Sequence, residues 1–375
     1  MSSNFKALVN ELSKATESLP EDLNGTEPDQ RKHILDLMYQ IRSEIEQPHD
    51  RVYSYVECIV EMGALRLFMD WNGFAHIPQS PKSISYADLA EKLDAEERLV
   101  RRIGWVLALR GIRKEDWGAW FRMTYDGHNR TSIQWRQFFA KYGRKEPVNA
   151  ANGNPTSFAH GQEDKSFWEI VDAEFVKDFN ITMRLVSEAH NSPRIFPWKW
   201  QVIAENAHLV DGNTPLVVDV GGGRGHDLCM MRKECPAIPA ERMVLQDRQP
   251  VIEEVLQLNS PEVQGMKKMS HDFFAEQPVK GALVYFFKRI LHDWSDKYCR
   301  QILGRTREAM APESRVLIYD FVVRMPPTYN VVLNDLAMMN LSATDRTEEE
   351  WKDLVQSSGF DIVQIWNDPK DGGYS

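Results

Sequence analysis

Residues 214–226 read TPLVVDVGGGRGH, and this stretch decides the fold. An unbroken β-branched run leads into three consecutive glycines, and DLCMMRKEC (227–235) then carries a helical pattern. A strand that is apolar throughout is covered on both faces, as in a parallel sheet with crossover helices. Four more such runs follow: RMVLQD (242–247), GALVYFF (281–287), RVLIYDF (315–321) and FDIVQIW (360–366). Helix-like stretches separate them. The alternation belongs to the α/β class and predicts a doubly wound, Rossmann-like domain over residues 196–375.

Working upstream, the pattern turns helical. FKALVNELSKATESL (5–19) and QRKHILDLMYQIRSEIE (30–46) repeat apolar residues every three or four positions, and their stripe needs cover from another subunit or from the same chain. In ISYADLAEKLDAEERLVRRIGWVLALRGI (84–112), Ser83 or Ser85 can cap a short helix whose apolar face is Leu89 and Leu93. A second helix carries Leu99, Ile103, Val106, Leu107 and Leu109 up to Gly111. This is a helix-turn-helix layout, with wing strands expected between 112 and 160. Its basic residues, Arg101, Arg102 and Arg110, sit on a chain of 45 Lys and Arg against 55 Asp and Glu, so a dimerising role is favoured and a nucleic-acid partner is not. An all-helical, winged-helix dimerisation domain is therefore predicted over 1–195. Its last helix, near 167–190, places Phe175, Phe179 and Met183 on one face, as core or as the roof of an apolar pocket.

Composition excludes other classes. The 375 residues are 42% hydrophobic and 27% charged, proportions of a folded globular chain. Cys58, Cys229, Cys235 and Cys299 are scattered without zinc-ligand spacing, so reduced thiols and no metal are expected. No secretory or membrane-spanning run is present, which predicts a soluble cytoplasmic protein that does not bind membranes.

The chemistry collects at strand ends. Three glycines in a strand-to-helix turn let a ligand approach the backbone beside a helix N-terminus. A dinucleotide fingerprint would place Gly or Ala at 226, where His226 stands, so a ligand without a pyrophosphate is favoured. Asp247 closes the second strand, where such folds place a ribose carboxylate; the alternative is a helix cap. Asp272 and Phe273, in SHDFF (270–274), could receive an adenine. In FFKRILHDWSD (286–296), His292 is a candidate general base, or else a cap of the following helix. Asp320 and Asp345 could each hold its Nδ1–H, although Asp345 could instead cap a helix beginning near Thr347.

Taken in order and spacing, VVDVGGGRGH (217–226), Asp247, SHDFF, FFKRILHDWSD and DRTEEEW (345–351) resemble the caffeic-acid type of S-adenosylmethionine (SAM)-dependent O-methyltransferase, in its fungal natural-product branch. The resemblance implies that Asp219, Gly221 and Gly223 line the SAM site, that Asp247 with Arg248 meets the ribose, that Asp272 and Phe273 flank the adenine, and that Lys288 contacts the cofactor. It makes His292 the catalytic base between Asp320 and Asp345, both of which are Glu in plant members. Phe179, Met183, Asp293 and Met338 would face a small aromatic or polyketide-derived substrate, and the assembly would be a homodimer. The same branch contains pericyclases that bind SAM without transferring its methyl group. One more strand usually follows the segment matching FDIVQIW, so an incomplete sheet edge is expected.

Overall fold

The computed structural model describes residues 3–17, 19–20, 25–79, 82–109, 112, 118–150, 153–189, 200–325, 327 and 329–366. Its contacts divide the chain into two units, Met1–Asp116 and Trp117–Ser375. The boundary expected at 195, and Arg110 and Gly111 of the helix-turn-helix reading, fall outside the described residues.

The first unit is helical: α1 (Ser3–Glu17), α2 (Pro28–Ile45), α3 (Pro48–Asp70), α4 (Tyr86–Lys92) and α5 (Glu97–Leu109). Ser85 caps α4, its hydroxyl accepting the Asp88 N–H at 3.0 Å. The core gathers Phe68, Leu89, Val100, Ile103 and Leu107. The buried face of α5 is therefore the 100/103/107 stripe, and the expected Leu99 and Leu109 are exposed. On α3, Val52, Val56, Ile59 and Val60 are all more than half exposed.

The expected wing strands are not found among the described residues of 112–160, where short helices stand at Gly118–Arg122, Trp135–Tyr142 and Pro155–Ala159 and a π-helix at Met123–Asn129. The aromatic residues of this segment have helical spacing. Phe138 and Tyr142, four apart, meet each other at 4.9 Å and both pack on Phe158.

The second unit contains α6 (Ala173–Ala189) and a five-stranded parallel sheet, β1 (Val217–Val220), β2 (Met243–Asp247), β3 (Lys267–Ser270), β4 (Val284–Lys288) and β5 (Arg315–Tyr319). The spatial order is β3-β2-β1-β4-β5. Val217, Leu245, Phe286 and Leu317 point to one core, with Leu228 of α7 (His226–Glu234) and Ile252 of α8 (Gln249–Leu258). Val218, Val244, Tyr285 and Phe287 point to the other, with Ile302 and Leu303 of α9 (Asp296–Arg307). Burial on both faces is what the unbroken apolar runs require. After β5 come α10 (Tyr329–Met338) and α11 (Glu348–Ser357). A short parallel pair, β6 (Val322–Val323) and β7 (Arg346–Thr347), draws together the segments that carry Asp320 and Asp345.

FDIVQIW is not a strand. Residues 361–366 take no regular structure, and β5, paired with β4, has no second neighbour among the described residues. A cavity of about 830 Å³ separates β5 from this segment, with Val316, Ile318, Ile362 and Ile365 on its walls. Apolar composition alone does not make a strand, because the backbone must also pair, and this segment lies across the cavity from the open edge of β5. No helix among the described residues is long and apolar enough to cross a membrane.

Candidate active site

The order of the strands puts a topological switch point between β1 and β4, and open α/β sheets bind ligands in the crevice beyond it. On the β1 side, Gly221, Gly223 and Gly225 have φ of 76°, 56° and 80°. A Cβ on Gly221 would meet Ile290 Cδ1 at 2.5 Å, and one on Gly222 would strike the Asp219 carboxylate. At Gly223 a Cβ would find nothing within 4 Å, so its backbone borders open space. Gly221 and Gly222 are confined by packing, and Gly223 leaves room for a ligand.

Asp247 ties the loop to β2. Its Oδ2 accepts the Gly223 N–H at 2.8 Å and its Oδ1 the Arg248 N–H at 2.7 Å. Burial raises its pKa against those two N–H groups. The N-cap of α8 is Arg248, so Asp247 is not the cap. Asp219 is buried, and its Oδ2 has no hydrogen-bond partner among the described residues. Burial, reinforced by Asp227, pushes this carboxyl well above the ordinary range, although Lys288 opposes it. Lys288 pairs with Asp227 at 2.6 Å. The unmatched oxygen and the space at Gly223 fit a nucleoside ligand that carries amine donors.

Asp272 is exposed, and its Oδ1 accepts the Phe274 N–H at 3.0 Å. Phe273 and Phe274 lie edge-on to Trp294, with centroids 5.7 and 4.8 Å apart, which joins the SHDFF turn to the His292 turn. The Arg248 guanidinium lies 5.0 Å over Trp168, which meets Phe179 at 5.2 Å. Phe175 and Met338 pack on a cluster of Phe167 and Leu341. Met183 is half-buried on α6. Trp168, which links Arg248 to Phe179, was absent from the sequence expectation.

His292 is 3% exposed. Its backbone N–H donates to Asp320 Oδ2 at 3.2 Å, and its carbonyl accepts the Thr344 N–H at 3.2 Å. The ring's Nδ1 lies 3.2 Å from Asp345 Oδ1 and 3.8 Å from Asp320 Oδ1, and Nε2 lies 3.4 Å from Asp293 Oδ1. A carboxylate only accepts, so Nδ1 carries the proton in its bond to Asp345. Asp345 holds the ring and Asp320 the backbone; the shorter arms of aspartate suffice for both. Burial alone would lower the imidazole's pKa, but Asp320, Asp293 and Asp345 overcome it and raise it to about 9. Burial lifts Asp293 to about 6 and also raises Asp320, in both cases against the attraction of His292. The cap of α9 is Ser295, so His292 does not cap it.

Two residues that complete this arrangement escaped the sequence reading. Arg346 is 1% exposed, and its guanidinium donates to the carbonyls of Leu291 at 3.1 Å and Trp294 at 2.7 Å and to Asp296 Oδ1 at 2.9 Å, bracketing the His292 turn. A signal for it existed: Thr347 and Glu350 form a capping box at the start of α11, which leaves Asp345 and Arg346 ahead of the helix. Asn334 on α10 donates to Asp345 Oδ2 at 2.6 Å. Nothing in the sequence points to it. Among the described residues, no group of three or more His, Cys, Asp or Glu side chains could hold a metal ion.

Residues 160–361 match the O-methyltransferase domain family. The chain is 32% identical over 339 residues to methyltransferase pvhD of Talaromyces variabilis, which covers 85% of this chain and 93% of that protein. Among solved structures it is similar to OxaC in complex with sinefungin and meleagrin, with TM-score 0.83 at 22% identity over 99% of this chain and 97% of that one. A structure described as a pericyclic reaction enzyme gives TM-score 0.79 at 22% identity over 99% and 97% of the two chains.

Proposed function

Because the chain belongs to the SAM-dependent O-methyltransferase family, we propose that it methylates a phenolic or enolic hydroxyl of a small aromatic or polyketide-derived molecule, with His292 as proton acceptor. Its cofactor is SAM. The unmatched Asp219 oxygen and the open face of Gly223 support a place for it in the crevice. Asp219, Gly221 and Gly223 would hold its amino-acid end, Asp247 and Arg248 the ribose, Asp272 and Phe273 the adenine, with Lys288 behind them. When bound, SAM supplies an electrophilic methyl group on a positively charged sulfur.

The observation that carries this reading is the hold on His292. With Nδ1 committed to Asp345 at 3.2 Å, Nε2 is the nitrogen left to take a proton from a hydroxyl as its oxygen attacks. The three carboxylates stabilise the imidazolium so formed. Phe179, Met183 and Met338 would press a flat acceptor towards the ring, and Asp293 would meet its hydroxyl. Alignment of the reacting groups is worth roughly 7–11 kcal/mol. A ring with a pKa of about 9 is mostly protonated at neutral pH, so turnover should rise as the solution becomes more alkaline. The test is His292→Ala, assayed for S-adenosylhomocysteine release with SAM and a panel of phenols and enols. We expect transfer to fall by roughly 10²-fold or more while SAM still binds by calorimetry. Near-normal turnover would refute the base assignment.

One observation favours a second reading. Three carboxylates lie within 3.8 Å of the ring nitrogens, and an imidazolium stabilised by them is a hydrogen-bond donor, able to polarise a carbonyl in a cyclisation or rearrangement that consumes no methyl group. The same assay separates the two, because such an enzyme would isomerise its substrate and release no S-adenosylhomocysteine.

The assembly we propose is a cytoplasmic homodimer. Val52, Val56, Ile59 and Val60 lie at i, i+4, i+7 and i+8 on α3, one continuous exposed apolar stripe, which supports cover by a second copy. Four free cysteines support a reducing compartment.

A further inference from the structure

We propose that Asn334 is a positioning residue: its amide fixes the carboxylate of Asp345 and, through it, the orientation of the His292 ring. The kinetic part of this inference rests on the base reading above; the structural part does not.

The Asp345 side chain is fully buried. Its backbone N–H donates to Asp335 Oδ1 at 2.9 Å, so the residue after Asn334 on α10 fixes where the acid's backbone lies. Oδ1 faces His292 Nδ1 at 3.2 Å, and Oδ2 accepts the Asn334 side-chain N–H at 2.6 Å. Because a carboxylate oxygen only accepts, the asparagine has to present its NH2 end. Together the two contacts stop rotation of the carboxylate about its own axis. The bond to His292 lies at the long end of the normal range, so alone it would be a loose tether. With Oδ2 anchored, Oδ1 stays in line with Nδ1.

The charges around this point explain why the donor is neutral. Asp320 and Asp293 flank the ring, Asp335 lies at the Asp345 backbone, and Arg346 spends its guanidinium on the Leu291 and Trp294 carbonyls and on Asp296. A lysine or arginine at 334 would hold Asp345 as well, but its charge would oppose proton uptake by the ring. An amide holds the acid and leaves the ring's affinity for a proton intact.

The test uses the full chain labelled with 15N. The His292 Nδ1–H signal, identified by its disappearance in His292→Ala, should be protected from solvent exchange in the wild type. In Asn334→Leu it should be lost to exchange, and in Asn334→Gln it should return. The indole N–H of Trp351, bonded to the Phe321 carbonyl at 2.7 Å, should stay unchanged as the control for an intact fold. If the leucine chain does not fold, Asn334→Ala replaces it. With an acceptor in hand, kcat should fall roughly 10- to 100-fold in Asn334→Leu with KM for SAM unchanged, and the substitution should cost nothing further in an Asp345→Asn background. A protected signal that persists in Asn334→Leu, no protected signal in the wild type, or an equal loss in the Asp345→Asn background would each overturn the proposal. Normal turnover of His292→Ala would remove the base reading alone, since the exchange measurement would still report whether Asn334 holds Asp345.

Discussion

The two sides of the crevice are built in opposite ways. The glycine side is made of backbone: residues 219–225 are contiguous, and Asp247 reaches them from the adjacent strand. The His292 side is made of side chains from four separate places, the turn at 291–296, Asp320 after β5, Asn334 and Asp335 on α10, and the loop at 344–346. A backbone site needs only the right turn. A side-chain site needs several segments in register at once, and a single substitution there frees several groups together.

Arg346→Met should give the largest effect and bear on that contrast first. The methionine can still cover Trp351, but the carbonyls of Leu291 and Trp294 lose a charged donor. We expect a loss of about 3 kcal/mol in unfolding free energy by urea titration, together with loss of methyl transfer. An unchanged urea midpoint would mean that the turn holds itself. Asp345→Asn should come next, with kcat reduced roughly 100-fold. Asp320→Asn should cost less, because its hydrogen bond to His292 is with the backbone N–H, at 3.2 Å, and the ring nitrogen lies farther off at 3.8 Å. Equal losses in the two variants would erase the division of labour between these acids.

The same contrast governs what the sequence disclosed. The glycine turn and strands β1, β2, β4 and β5 follow from short contiguous runs and are found where the pattern puts them. His292, Asp320 and Asp345 were legible as separate strand-end residues, but which acid takes the ring depends on the pairing of β6 with β7, which two-residue strands do not announce. Asn334 carries no local signature, since its role exists only after α10 has packed against the Asp345 loop. Wing strands were expected over 112–160 because Trp, Gly, Asn and Pro there hide any sustained period beside the helix-turn-helix layout, and the four-residue spacing of Phe138 and Tyr142 was the better guide. FDIVQIW has the composition of a strand, yet among the described residues it does not pair with the open edge of β5.

On the glycine side the expected effects are smaller. At Gly223 a methyl group would touch none of the described protein atoms within 4 Å, but the φ of 56° strains any side chain, so Gly223→Ala should cost about 1 kcal/mol of stability and weaken SAM binding roughly 10-fold. Unchanged affinity by calorimetry would show that the donor does not lie against this loop, and the comparison of the two sides would fail.

Asp293 is where the two accounts of His292 can be weighed by pH. Its carboxylate, 3.4 Å from Nε2, is one of the three that hold the imidazole's pKa at about 9 against burial. Asp293→Asn removes that charge and should lower the imidazole's pKa by about one unit. If the neutral ring accepts the proton, kcat/KM in the wild type rises with pH through about 9, and in the variant this limb moves to lower pH. Stability must follow the opposite course. Between the unfolded value of about 6.5 and the folded value of about 9, the folded chain keeps a proton that the unfolded chain has lost. The ring's ion pairs therefore stabilise the fold fully below about 6.5, and that stabilisation is lost as pH rises through 9. In the variant this window should narrow by the same amount as the kinetic limb shifts. A kinetic limb that moves without the stability window would place the titration on the acceptor hydroxyl, and a window that moves alone would make His292 a structural cation.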